Sequence, residues 1–204
     1  MTTADLFERI AAHDVSGVAD LLAGGADPNT PRTAHPGWRP LHAAIEELED
    51  GGPVDVIIAL VRHGADPDAF DSARDATPLL MAFFREQWTA VRLLLAAGAS
   101  ADTVGAEGDT PLLCAVDVGD PELVRLVLVA GAGATLERPR GLDGLTPLGL
   151  AVRRLDVESV RLLIAAGVRT DFPDADRRTA RDLLPARTPD NAGRWDRLSE
   201  LIGP

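Results

Sequence analysis

Apolar residues recur along this chain at the three- and four-residue spacing of a helix face, in short bursts separated by polar stretches. One kind of burst opens on Pro-Leu, as in Leu79, Ala82 and Phe83 or in Leu112, Ala115 and Val116. A second, Leu-rich kind follows after a few residues, as in Leu123, Val124, Leu126, Val127 and Leu128. A Gly and a polar stretch of about ten residues then close the unit. The pattern predicts pairs of short helices joined by tight turns, followed each time by a polar loop.

Two anchors give the pairs a period. The proline of a Thr-Pro-Leu-like tetrapeptide stands at Pro40 (RPLH), Pro78 (TPLL), Pro111 (TPLL) and Pro147 (TPLG), at spacings of 38, 33 and 36. A further 33 residues lead to Thr179-Ala180, where Ala replaces Pro. The helix-ending glycine recurs at Gly25, Gly64, Gly98, Gly131 and Gly167. Thr before Pro caps a helix whose first position tolerates proline, because that N–H has no partner in any case. The closing Gly adopts a left-handed conformation cheaply. One such unit cannot bury both of its faces, so neighbours must stack on it.

On the phrases RPLHAAI, TPLLMAF, TPLLCAV and TPLGLAV, each followed by a Leu-rich helix and wording such as HGADPDA or AAGASAD, the chain resembles the ankyrin-repeat family in its bacterial-type arrays. The resemblance implies a mainly α fold, an α-solenoid of stacked helix-turn-helix repeats with hairpin loops. Laid along the chain it gives a single array over 1–204, with repeats at about 1–33 (an N-terminal cap), 34–71, 72–104, 105–140, 141–173 and 174–204 (a C-terminal cap). In the last segment Trp195, Leu198 and Leu201 or Ile202 fall on one helix face.

Departures from the repeat carry expectations of their own. Glu46–Pro53 (EELEDGGP) holds about four extra residues between two helices, one additional helical turn. The turn between paired helices favours glycine, which Gly52 and Gly119 supply. His13, Glu86 and Leu155 occupy the same place in other repeats, where a left-handed conformation strains a non-glycine residue by roughly 1 kcal/mol. Those three turns are therefore expected to be less regular or locally rebuilt.

Composition removes several function classes. The 204 residues include 20 Lys+Arg against 32 Asp+Glu, a net charge of −12, and every cation is Arg. That balance excludes a sequence-independent nucleic-acid binder and an anionic membrane surface as partners. No apolar run of about 18 residues could span a bilayer, and the N-terminal stretch lacks a signal peptide's basic and apolar regions, so a cytoplasmic location is expected. A single cysteine, Cys114, leaves no disulfide framework and no thiolate zinc site; it reads as a small buried hydrophobe. His42 matches the histidine of the repeat motif, which the resemblance implies ties down backbone and hydroxyl groups of its own repeat. His13, His35 and His63 fall at turns or helix ends and form no metal-binding pair. No nucleophile elbow, phosphate loop or dinucleotide motif is present, so no cofactor and no catalytic residue is expected.

What remains is surface. The resemblance implies that a protein or peptide partner binds a concave groove, built by the last residues of each first helix and by the hairpin tips. Carried over by position, the helix ends are Ala11 and Ala12, Glu46 and Glu47, Phe84 and Arg85, Asp117 and Val118, Arg153 and Arg154. The hairpin positions are His35, Pro36 and Trp38; Arg74 and Ala76; Ala106, Glu107 and Asp109; Leu142, Asp143 and Leu145; Ala175, Asp176 and Arg178. Trp38 and Phe84 are aromatics amid charge, as in binding hot spots; equally, Trp38 could pack back over the loop before it. The partner-binding set is Trp38, Glu46, Glu47, Phe84, Arg85, Glu107, Asp109, Asp117, Arg153 and Arg154. Its charges run from acidic at Glu46 and Glu47 to a basic edge at Arg153 and Arg154. The alternatives are a small-molecule binder or enzyme using groove carboxylates and aromatics, and self-assembly in place of the expected monomer.

Overall fold

The computed structural model describes residues 3–32, 37–71, 75–141 and 143–203, so His35, Pro36, Arg74 and Leu142 lie outside the described residues. The chain divides into two units, 1–106 and 107–204. The first holds α1 (Thr3–Ala11), α2 (Val15–Ala23), α3 (Pro40–Glu46), α4 (Asp55–Arg62), α5 (Pro78–Phe84) and α6 (Trp88–Ala96). The second holds α7 (Pro111–Val118), α8 (Pro121–Val129), α9 (Pro147–Arg153), α10 (Val157–Ala165), a single 3-10 turn (Arg181–Leu183) and α11 (Ala192–Ile202). No strand occurs among the described residues.

The Thr-Pro starts behave as their chemistry requires. The hydroxyls of Thr77, Thr110 and Thr146 accept from the backbone N–H of Leu80, Leu113 and Gly149 at 3.4, 3.1 and 3.1 Å, with proline at the first helical position. Arg39 stands at this place before α3 and makes no side-chain cap. Among the second helices, Asp14, Asp120 and Asp156 cap α2, α8 and α10 through their carboxylates.

Burial separates the two kinds of helix. Every residue of α5 from Pro78 to Phe83, of α7 from Pro111 to Val116 and of α9 from Pro147 to Val152 is buried. The second helices bury only a stripe, such as Val56, Ile57 and Leu60 of α4 or Leu123, Val124 and Val127 of α8. In the first unit α3 lies against both α1 and α5, and α2 against α4; in the second, α7 lies against α9, and α10 against both α8 and α11. Thus α3, α5, α7 and α9 are covered until their last residues, which reach water, whereas α1 also exposes Glu8 and Arg9. Small side chains permit this close approach: Ala82 and Ala115 are completely buried.

Three expectations need correction. The turns at His13, Glu86 and Leu155 are not rebuilt: the three residues take φ of 55°, 54° and 57°, and in each turn the residue bonds back three positions and its successor back five. The flanking helices, anchored by their buried stripes, impose the turn on whatever residue sits there. Glu86 is exposed, so Glu86→Gly is expected to raise stability by about 0.5–1 kcal/mol, strain relief exceeding the entropy that glycine adds to the unfolded chain. A urea midpoint that falls in this variant would contradict the assignment. In the long turn after α3, Gly51 rather than Gly52 is left-handed, at φ 83°. Gly52 is required for space instead, since a Cβ there would stand 2.7 Å from the Glu47 carbonyl oxygen, to which its own N–H donates at 2.8 Å. The extra residues Leu48, Glu49, Asp50 and Gly51 bond back three residues, a tighter winding than an α turn.

At the C-terminal end the first helix of the repeat shrinks to the 3-10 turn. Thr179 donates its N–H and its hydroxyl to Asp182, both at 2.8 Å, and Pro185 follows. Leu198 and Ile202 of α11 are buried, and the indole N–H of Trp195 donates to the Pro185 carbonyl at 3.0 Å.

Candidate functional site

Because α3, α5, α7 and α9 are buried along their length, only their ends present side chains to solvent. In the first unit α3 ends on Glu46 and Glu47, and α5 on Phe84 and Arg85. Arg85 lies across the gap: its guanidinium reaches Glu46 at 2.7 Å and Glu49 at 3.2 Å. Glu47 faces the His13 ring Nε2 at 3.1 Å. Phe84 is 44% exposed. Trp38 is half-buried in the hairpin before α3, and its carbonyl accepts from the Arg32 N–H at 2.7 Å. Ala76, a hairpin position in the sequence reading, is buried and presents no side chain to a partner. Phe70, also 44% exposed, was missed; the signal was an aromatic directly before Asp71, where Pro139 and Pro173 precede Arg140 and Asp174.

The second unit gathers its charges around a residue the sequence reading passed over. Arg140 opens a hairpin, its N–H donating to the Leu145 carbonyl, just as Asp71 and Asp174 open theirs. Both aspartates are buried, and Asp174 accepts from the backbone of Asp176 and Arg178. At Arg140 a cation replaces them, its side chain only 13% exposed. Its guanidinium meets Asp109 at 3.4 Å, Asp117 at 3.3 Å and Asp143 at 4.0 Å. Arg153 reaches Asp143 at 3.7 Å, and Arg154 pairs with Asp117. The basic edge expected at Arg153 and Arg154 is therefore a set of ion pairs, three arginines against three aspartates. Burial pushes the Asp109 carboxyl above the usual carboxylate range, against the opposing charge of Arg140.

Glu107 is exposed, and its carbonyl accepts from the Gly141 N–H at 3.1 Å. The two hairpins come so close that a Cβ on Gly141 would lie 2.2 Å from that oxygen. Leu145 is buried and Arg178 serves Asp174 at 2.8 Å, so these two hairpin positions act inward.

His42 is fully buried, as a structural role requires, but its partner differs from the one implied. Its Nε2 bonds the Ala76 carbonyl at 3.1 Å, in the next repeat rather than its own. The Cys114 thiol is buried, and burial pushes its pKa up to about 12 with help from the charges of Asp109 and Asp117. Such a thiol is not a nucleophile at neutral pH. Among the described residues no helix is long and apolar enough to cross a membrane.

Comparison with known proteins places these features in a family context. A family model described as ankyrin repeats, three copies, matches residues 48–137. The 2-5A-dependent ribonuclease of Homo sapiens is 36% identical over 77 residues, which cover 38% of this chain and 10% of that protein. The chain thus spans about a tenth of the length of that relative. An ankyrin repeat domain from Acinetobacter baumannii superposes with a TM-score of 0.76 at 22% identity, covering 97% of this chain and 95% of that one. A chain in the complex of a predatory endopeptidase from Bdellovibrio bacteriovorus with an immunity protein superposes with a TM-score of 0.72 at 22% identity, covering 98% of this chain and 99% of that one.

Proposed function

This chain is an ankyrin-repeat protein, and from that premise we propose that it is a non-catalytic interaction module, binding a protein or peptide partner across the exposed ends of its first helices and the adjoining hairpins. Ankyrin repeats are in general protein–protein interaction modules. The observation that carries the reading is the contrast along α5: six consecutive buried residues end on a Phe that is 44% exposed and on a charged Arg85. An apolar side chain left half in water at the end of a covered helix gains little from folding, and contact with a partner would bury it. The endopeptidase–immunity protein complex, one chain of which has this fold, adds support for a protein partner. Groove chemistry by carboxylates is the weaker reading, because Asp109, Asp117 and Asp143 are each engaged by arginine. With one cysteine and an acidic surface, we place the protein in the cytoplasm as a monomer.

The test is capture of partners from the native host by the wild type and by the double variant Trp38→Ala with Phe84→Ala. Loss of these aromatics is expected to weaken capture about tenfold or more while the melting temperature stays close to wild type. Undiminished capture overturns the assignment.

A further inference from the structure

The interaction reading leaves open what kind of partner the first unit selects, and its charge distribution narrows the answer. Of the two units, 1–106 carries 16 acidic against 7 basic side chains, whereas 107–204 carries 16 against 13. Most of the net −12 therefore belongs to the first unit. Around Phe84 the imbalance is local. The ends of α3 and α5 and the long turn between α3 and α4 present Glu46, Glu47, Glu49 and Asp50, with Arg85 the cation among them. Glu49 and Asp50 are exposed, pushed outward by the tight winding of the four added residues.

Resting on that reading, we infer that this exposed end of α5, with Phe84 at its centre, docks an arginine-bearing basic segment of the partner protein. Two observations fix the chemistry. First, the rim stays acidic with its own guanidinium in place: Arg85 bridges Glu46 at 2.9 Å and Glu49 at 3.2 Å through two different nitrogens, while Glu47 and the exposed Asp50 lie outside that bridge. A planar fork suits carboxylates spaced this way, and a compact ammonium does not. Second, Phe84, next to Arg85 in the chain and 44% exposed, leaves aromatic surface open to solvent, and a desolvating guanidinium stacks on such a surface favourably. An acidic or neutral partner would meet like charge or gain nothing from the rim.

The experiment uses the full chain and three short synthetic peptides, alternating arginine with serine, lysine with serine and glutamate with serine. Amide chemical-shift mapping in low salt is expected to place the arginine peptide on residues 46–52 and 84–85, bound more tightly than the lysine peptide, with the glutamate peptide inert. Phe84→Ala, and separately Glu49→Gln with Asp50→Asn, should each weaken the arginine peptide by about fivefold or more. Asp20→Asn with Asp55→Asn removes two exposed charges elsewhere in the unit and should change it by less than about twofold. Equal losses in the control, shifts spread over the whole acidic surface, or indifference to Phe84→Ala overturn the inference. If the arginine peptide fails while a native partner still cross-links at Phe84, the charge class is wrong and the interaction reading survives. If no partner engages this face, both fall.

Discussion

Replacing Arg140 by alanine is expected to destabilise the 107–204 unit by roughly 2–3 kcal/mol, read as a lower midpoint in urea. Arg140 is 13% exposed and Asp109 15%, so removing the cation leaves a largely covered carboxylate facing Asp117 and Asp143 without its counter-charge. The figure stays below that for a fully buried pair because Asp117 and Asp143 are 46% and 32% exposed and water screens them. A cycle with Asp109→Asn separates this from lost packing. Arg140→Ala should cost clearly less in that background, and equal costs in both would refute the ion-pair explanation. The pH dependence has a definite sign. Burial holds the Asp109 carboxyl above 3.8, so the folded state takes up its proton at a higher pH than the unfolded chain does. Stability from this group is fully present below 3.8 and is lost as pH rises through the folded pKa. Without Arg140 that pKa rises further, and the variant's deficit should shrink on acidification.

Truncating His42 to alanine should cost about 2–4 kcal/mol, combining a cavity with the loss of one of the two hydrogen bonds to the buried Ala76 carbonyl, which keeps the Asp71 N–H at 3.0 Å. Its titration gives a second signature. Burial lowers the His42 pKa below 6.5, opposed by the Ala76 hydrogen bond and the Asp71 charge. The unfolded chain therefore binds a proton near 6.5 while the folded chain still refuses it. Stability is complete above that pH and declines as pH falls through 6.5 towards the folded value. The wild type should lose stability between about pH 7 and pH 5, and His42→Gln, which does not titrate, should show a flatter profile. An unchanged slope in that variant would refute the assignment of this loss to His42.

Both residues show how far the sequence could be read. His42 was recognisable by its place after Pro40-Leu41, but its acceptor lies 34 residues away, and only stacking decides which carbonyl comes within reach. Arg140 was invisible for the opposite reason. It sits in the phrase LERPRG, outside the anchors that define the repeat, and its equivalence with Asp71 and Asp174 emerges only from the shared hairpin bond. Arg153 and Arg154 looked like free positive charge because nothing in their neighbourhood of sequence shows that Asp117 and Asp143 come to meet them.

Some features were legible outright because they are local. Thr-Pro starts, Gly ends and the helix-face spacing specify each helix from within a few residues, and the structure places α5, α7 and α9 where Pro78, Pro111 and Pro147 begin them. Tertiary structure alone decided the conformation at His13, Glu86 and Leu155, where local preference pointed to disruption and packed helices on either side forced the common turn. It also decided which charges remain available. Ion pairing depends on separations between repeats that are far apart in the chain, so −12 was countable from residues alone. Its concentration around an exposed Phe84, and its cancellation around Arg140, required the stacked helices.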